Sequence, residues 1–372
     1  MRLYEYAIRR LILMAFVLFA LSLLIFYLTR GLLPPSTAIA SYITPKMNDQ
    51  AKLQVARALG VATSSCPSFA AFADQQAGCV VPLWAQYSSW LTNVLTGNWG
   101  YTLLPGLSGT ETTWDVFIDR FGYTAELAIV GALLTIAIGI PLGIISATHN
   151  NKIPDHISRI VSLGGYSIPQ FWFAAILQIV FVLYIRIFGL GLLPAHGALA
   201  TGCAICLPNP GTVPSYTGIP VIDGLLAGNG AFAWDSFVAV LLPGITLAVT
   251  SIGALTRIVR SSMLEALRQD YILLAKSKGL RENVVVYRHA LRNALLPAVT
   301  IAGLLTAFLL GGVVIVEIVF SWPGVGQASL VAAQFDDINF LELYVLVTAL
   351  IIVVANLVVD LLYAKLDPRI RY

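Results

Sequence analysis

Four histidines, four cysteines and a thin scatter of acids are the residues of this chain with chemistry to offer. His149, His156, His196 and His289 stand apart, and none forms the His-Glu-x-x-His pattern that sets two zinc ligands on one helical face. No Gly-x-Ser-x-Gly elbow presents a nucleophilic serine. No Gly-Lys dipeptide occurs, so a Walker A phosphate loop is absent. The chain is therefore not expected to hydrolyse ATP alone, nor to hold a metal or cofactor. Cys203 and Cys206 share a Cys-Ala-Ile-Cys spacing found in redox and zinc sites, but zinc needs about four ligands and His196 is the one histidine nearby. Glu126 and Glu317 are isolated acids beside apolar runs, readable as functional groups near the membrane boundary, or as acids that sit at the water interface or bond to a neighbouring helix.

One cluster has spacing with a purpose. Residues 270–297 read DYILLAKSKGLRENVVVYRHALRNALLP, with Lys276, Lys278, Arg281, Arg288 and Arg292 between nearly uncharged flanks. Tyr271 to Lys278 holds good helix formers and no breaker. Gly279 then stops the helix as a left-handed cap, and Lys276 and Lys278 in the last turn complement the helix dipole. The chain restarts at Arg281-Glu282-Asn283, and 284–291 reads as a second helix. A basic helix, Gly turn and helix suits anionic lipid or a docking elbow for a protein partner. Lipid does not require the sharp turn, and Ala275 and Gly279 at i and i+4 give a small-residue face for close packing.

The elements that hold this insert follow from composition. The 372 residues are 58% hydrophobic and 11% charged, where soluble domains are nearer a quarter charged. Mean hydropathy is +0.82. Six long uncharged runs, 11–28, 127–148, 160–185, 237–256, 293–316 and 343–359, read as transmembrane helices. The first run is too long for a signal-peptide core of roughly 7–15 residues and reads as an uncleaved anchor, although Ala38-Ile39-Ala40 resembles a cleavage site. With both termini on one side, that side collects 16 of the 22 Lys and Arg, including the whole insert. The positive-inside rule makes it the cytoplasm. The small net charge of +3 argues against nucleic acid as a partner.

All four cysteines then face outward, Cys66 and Cys79 in a loop of about 31–121, Cys203 and Cys206 in a loop of about 189–236. An oxidising exterior favours the pairs Cys66–Cys79 and Cys203–Cys206, with free thiols or redox and metal work as the other readings. The second loop is rich in Pro and Gly and reads as turns. The first carries one helix-prone patch, 87–95, whose Trp90 suits either an interfacial helix or a packed loop core.

Ala275-Lys276-Ser277-Lys278-Gly279 followed by Arg288-His289-Ala290-Leu291-Arg292-Asn293-Ala294-Leu295-Leu296-Pro297 resembles the EAA loop of ABC importer permeases, in the first-permease type of the dipeptide/oligopeptide branch. Ser167-Ile168-Pro169-Gln170-Phe171-Trp172, the run from Glu317 through Phe320-Ser321-Trp322-Pro323-Gly324-Val325-Gly326, and Asp367-Pro368-Arg369 match in family order, as do Tyr87, Trp90, Leu91, Gly97 and Gly100. Leu273-Leu274 stand where the loop's name has Glu-Ala, and the Cys-bearing inserts 41–80 and 200–220 look longer than usual.

The resemblance implies an all-α integral membrane permease with six spans and both termini cytoplasmic. Its segments are a first helix in 1–30, an outer loop in 31–121, and a five-helix core in 122–364. The core carries a coupling loop at 261–292, and a cytoplasmic tail follows at 365–372. The implied partners are a second permease, two ABC ATPase subunits that hold ATP and Mg, an extracytoplasmic substrate-binding protein and membrane lipid. Tyr271, Ala275, Lys276, Lys278, Gly279 and Arg281 would meet an ATPase. Pro169 would kink the third span, Gly311 and Gly312 would permit helix movement, and Gln178, Thr300, Thr306 and Asn356 are candidates for the pathway lining or for helix–helix contacts. Di- and oligopeptides are the implied cargo, with oligosaccharides or nickel in the same class as alternatives. A channel or secondary transporter without ATPase partners would need charged relays at mid-membrane, which the sequence nearly lacks.

Overall fold

A computed structural model describes residues 3–32, 34–36, 39, 42–43, 46–105, 107, 111–181, 213–310 and 313–366. Among them there are helices and no strands, with two isolated bridges, Ala62 with Val80 and Tyr101 with Thr112. Among the described residues five helical stretches are long and apolar enough to cross a membrane: Ile8–Gly31, Thr113–Thr148, Gly230–Leu267, Glu282–Leu310 and Ile338–Leu361. A bent pair, α6 (Ile153–Ser167) and α7 (Gln170–Ile179), makes a sixth if counted together.

That pair corrects the expected single third span at 160–185, kinked at Pro169. The axis turns by 98° between Ser167 and Gln170. Pro169 lacks an N–H and its ring pushes the preceding residue out of the helical region. Ile168 accordingly sits extended at ψ 126°, and α6 stops. The break is thus a full corner rather than a kink.

Chain segments Met1–Ile8, Arg120–Gln327 and Ile351–Tyr372 contribute to one compact unit. Its central element is α9 (Gly230–Leu267), against which pack α6, α7, the short α8 (Pro220–Leu226), α12 (Leu291–Leu310) and α13 (Val314–Val319). With 38 residues α9 is roughly 57 Å long at 1.5 Å per residue, well beyond a hydrocarbon core of about 30 Å. Two buried clusters flank it. One joins Leu127, Leu242, Leu247, Val316, Phe320 and Trp322. The other joins Ile144 and Ala147 of α5 (Thr113–Thr148) to Val259, Met263 and Ala266 of α9 and to residues of the segment that follows. Lipid gives helices no hydrophobic reason to associate, so close backbone approach matters. An added Cβ at Gly143 would meet Val259 side-chain carbons at 2.6 Å, and one at Gly165 would meet the Val249 carbonyl at 2.5 Å.

The other unit takes Arg9–Asp119 and Ala328–Leu350. Here α4 (Leu83–Leu95) lays Tyr87 and Trp90 on Phe26 of the first helix, with ring centroids 5.3 and 5.5 Å apart. Trp90 Nε1 donates to the buried Glu342 carboxyl at 2.7 Å, which also accepts from Thr29 Oγ1 at 2.7 Å. Trp90 therefore belongs to a packed core, whereas Trp84 on the opposite side of α4 is exposed. Cys66 and Cys79 are joined by a disulfide. It closes a small insert in which α2 (Asp49–Ala58) and α3 (Phe69–Ala73) share a core of Leu53, Ala56 and Phe72.

Candidate functional site

The basic insert begins where α9 ends. Arg268 caps α9, and after Gln269 the chain enters α10 (Asp270–Ser277), with Asp270 in its first turn and Lys276 in its last. Both charges match the helix dipole. At the far end the Gly279 N–H donates to the Lys276 carbonyl at 2.9 Å and the Leu280 N–H to the Ala275 carbonyl at 3.4 Å. This pair of bonds is the Schellman pattern, which needs a left-handed residue. Gly279 supplies it at φ +74°.

The two faces of α10 differ. Ile272 and Ala275, three residues apart, are buried with Met263 and Ala266 of α9 and with Val285, Val286 and Ala290. Tyr271, Leu273, Leu274, Lys276 and Lys278 are exposed, as is Arg281. Nothing lies within 4 Å of a Cβ built at Gly279. The expectation that Ala275 opens a small face to a partner is thereby corrected. Its small side chain lets α10 lie close on the molecule's own core, and the outward surface is made of leucines, a tyrosine and lysines.

The expected second short helix at 284–291 is also corrected. A helical run from Glu282 passes through a wider π turn at Val285–Ala290 straight into α12. Val285, Val286 and Ala290 face inward while Tyr287 and Arg288 face out, so the basic residues ride on the extension of a span. The elbow at Gly279 joins one short helix to one long one.

The remaining expected residues divide. Pro169 stands at the α6–α7 corner. Gln178 Nε2 donates to the Val319 carbonyl at 2.6 Å, tying α7 to α13. Thr300 and Thr306 hydroxyls bond to the Leu296 and Ala302 carbonyls of their own helix. Asn356 is half-buried on α15 (Ile338–Leu366). Gly311, Gly312, Cys203 and Cys206 lie outside the described residues.

Two further carboxyls organise the core. Glu317, fully buried, accepts from Thr124 Oγ1 at 2.7 Å and from the Gln327 N–H at 2.8 Å, while Thr124 Oγ1 accepts from the Val325 N–H at 2.9 Å. Burial pushes this carboxyl above its ordinary range, and those hydrogen bonds oppose the push. Glu126 accepts from the Val221 N–H at 3.1 Å. Both acids thus bond to neighbouring segments. Sequence reasoning missed Asp155, which is fully buried and ion-paired to Arg159 and Arg260. The spacing of Asp155 and Arg159, i and i+4, was a visible signal, but nothing in the sequence pointed across 105 positions to Arg260. Among the described residues no three His, Cys, Asp or Glu gather as metal ligands.

Comparison with known proteins gives a consistent result. The family model of binding-protein-dependent transport system inner membrane components matches residues 139–372. The dipeptide transport system permease protein DppB of Alkalihalophilus pseudofirmus is 38% identical over 307 residues, spanning 82% of this chain and 87% of that protein. The proteins of the same name from Haemophilus influenzae and Escherichia coli K12 are 40% and 35% identical, over 76% and 78% of this chain and 80% and 82% of theirs.

Proposed function

The chain belongs to the family of binding-protein-dependent transport system inner membrane components, and we propose that it is the permease subunit of an ATP-driven importer of dipeptides or short oligopeptides. It is a multi-pass membrane protein. The peptide cargo is supported by the dipeptide permeases it resembles at 35–40% identity. A second, related permease would complete the translocation path, two ABC ATPase subunits would bind and hydrolyse ATP with Mg, and an extracytoplasmic binding protein would deliver the peptide.

The observation that carries this reading is α10. A short helix is held by Ile272 and Ala275 on the end of a long span, and it turns Tyr271, Leu273, Leu274, Lys276 and Lys278 outward. Exposed leucines beside the lysines at the end of this short helix suit a groove on another protein better than water. The excess of Lys and Arg on the same side supports a cytoplasmic location, where the ATPases act. ATP-driven closure of the two ATPases would push α10 and rock the spans between inward-facing and outward-facing states. The charged ends at Lys276, Lys278 and Arg281 would meet acids on the ATPase rim.

The test is to purify the tagged chain from its native membrane and to crosslink from Lys276 and Lys278. Recovery of an ABC ATPase joined to either lysine is expected. A chain that comes out alone, with only lipid joined to those lysines, would refute the docking role and leave the insert as a lipid-binding segment.

A further inference from the structure

We infer that Asp155 is a positioning residue for energy coupling: with Arg260 it fastens α6 to the end of the bundle on which α10 sits, so that α6 moves as one body with α10. This rests on the docking role proposed above.

The geometry is unusually complete. Asp155 stands in the first turn of α6 and is fully buried. Its Oδ1 accepts from Ser146 Oγ of α5 at 2.6 Å and from Arg260 Nε of α9 at 3.0 Å. Its Oδ2 accepts from the Asn151 N–H of the intervening turn at 2.9 Å, from Arg159 Nη2 at 2.7 Å and from Arg260 Nη2 at 3.1 Å. Arg260 spans both carboxylate oxygens as a fork and also donates to Asn150 Oδ1 at 3.0 Å. One carboxylate thus joins two spans, the turn between α5 and α6, and the start of α6.

The position of this clasp gives it a role. Ser146 lies between Ile144 and Ala147, and Arg260 lies between Val259 and Met263. Those four are members of the buried cluster that also holds Ile272 and Ala275 of α10. Clasp and seat are therefore adjacent layers of one structure. Further along, Gly165 and Gly253 bring the α6 and α9 backbones into contact, so α6 is held to α9 at two heights. It then ends at the corner before α7, whose Gln178 is bonded to α13. A push on α10 has a continuous, packed route to that corner.

Packing alone would not need charge here. Burying ions is costly, and apolar side chains would hold three helices as firmly; what a forked ion pair adds is a single register. A register that must survive each displacement of α10 is what a force-transmitting joint requires.

The experiment uses the complete transporter with its ATPase subunits in lipid nanodiscs. Spin labels are placed at Ile160→Cys and Arg268→Cys, exposed sites on α6 and at the foot of α9, with Cys203 and Cys206 changed to Ser. In the otherwise wild-type complex the label separation should be single and equal in the ATP-free and ATP-vanadate states. Asp155→Asn should make it broaden or shift on trapping, and dipeptide delivered per ATP should fall about tenfold. Arg260→Lys, which keeps the charge and loses the fork, should do the same to a smaller degree. A wild-type separation that changes on trapping would overturn the inference. So would wild-type separations and wild-type transport per ATP in Arg260→Lys, even where Asp155→Asn yields no complex. Surviving variant complexes that are scarce but coupled as wild type would assign the clasp a purely structural role and overturn it equally. A Gly279→Trp control separates the two levels. If that variant couples normally, the docking reading falls; if it uncouples while the clasp variants do not, the Asp155 assignment falls alone.

Discussion

Gly324→Ala adds one methyl at a site with no room for it, and a large loss of stability is expected. Gly324 lies in the tight segment after α13, where the Trp322 indole N–H donates to the Tyr123 carbonyl at 2.9 Å and the Trp322 backbone N–H to the Glu317 carbonyl at 2.7 Å. A Cβ at 324 would fall inside contact distance of Thr124 Oγ1 and only 2.5 Å from both Cδ and Oε1 of Glu317. Those are the two groups whose mutual bond closes the segment. Neither is the loose end of a surface side chain, because both residues are buried. Forcing a methyl into a filled site costs about 1–3 kcal/mol. Displacing Thr124 also strands the Val325 N–H or the Glu317 carboxyl, at about 1–3 kcal/mol more. The sum is about 4 kcal/mol, or a fall in the melting temperature of roughly 8 °C at about 2 °C per kcal/mol. Tryptophan fluorescence during heating in detergent would measure it. Thr124→Val removes the same two bonds without the added methyl, so its loss and that of Gly324→Ala should add to more than the double variant shows. Gly164→Ala serves as the control: it is exposed on α6 with nothing within 4 Å, and it should be neutral or slightly stabilising. A Gly324→Ala protein that melts with the wild type would refute the idea that Glu317 and Thr124 lock this segment.

At Gly279 the demand is conformational rather than steric. Ala should cost about 1 kcal/mol through the left-handed backbone alone, Asn should cost less, and Trp should leave the spans folded while transport loses its link to ATP hydrolysis; melting and transport assays read the two effects separately. Leu273→Glu with Leu274→Glu alters only exposed positions, so stability should stay within about 0.5 kcal/mol while ATPase subunits no longer co-purify. Opening the Cys66–Cys79 bridge with Ser at both positions releases a loop of sequence separation 13, worth about 3 kcal/mol in the chain-entropy account. Limited proteolysis should then cut the insert around α2 and α3 at rates the oxidised protein does not show, and unchanged protection would refute a structural role for the bridge.

The long apolar runs were legible because lipid imposes one rule on every residue of a span. The cap at Gly279 was legible because a single residue type satisfies a single backbone conformation. What failed had no such one-to-one relation. Pro169 marked where the run at 160–185 would bend, but an uncharged run reads the same whether the helix bends slightly or turns a corner, and so the 98° turn was not legible. A helix of eight residues with apolar positions on two sides does not say which side is buried; Ile272 and Ala275 go inward while Leu273 and Leu274 stay out because α9 supplies Met263 and Ala266 beneath the former pair. The basic residues Arg288 and Arg292 suggested that the second helix ends before the next span begins, yet a span that extends past the lipid can carry charge once its flanks reach water.

Three buried carboxyls share a pattern that bears on how such a chain finds one structure. Asp155 and Glu317 in one unit and Glu342 in the other are each nearly or fully buried, and each takes donors from segments remote in sequence. Between apolar helices in lipid, dispersion packing tolerates many rotations and registers of similar energy. A buried carboxyl does not, because a misaligned neighbour leaves it without donors in a medium that offers none. The few acids inside this oily chain therefore select among packings that leucines alone would leave degenerate. Two of the three sit where a helix meets a turn, Asp155 beside the seat of α10 and Glu317 beside the Trp322 segment. The residues that specify the fold are consequently also those placed to resist, or to transmit, a displacement applied at its ends.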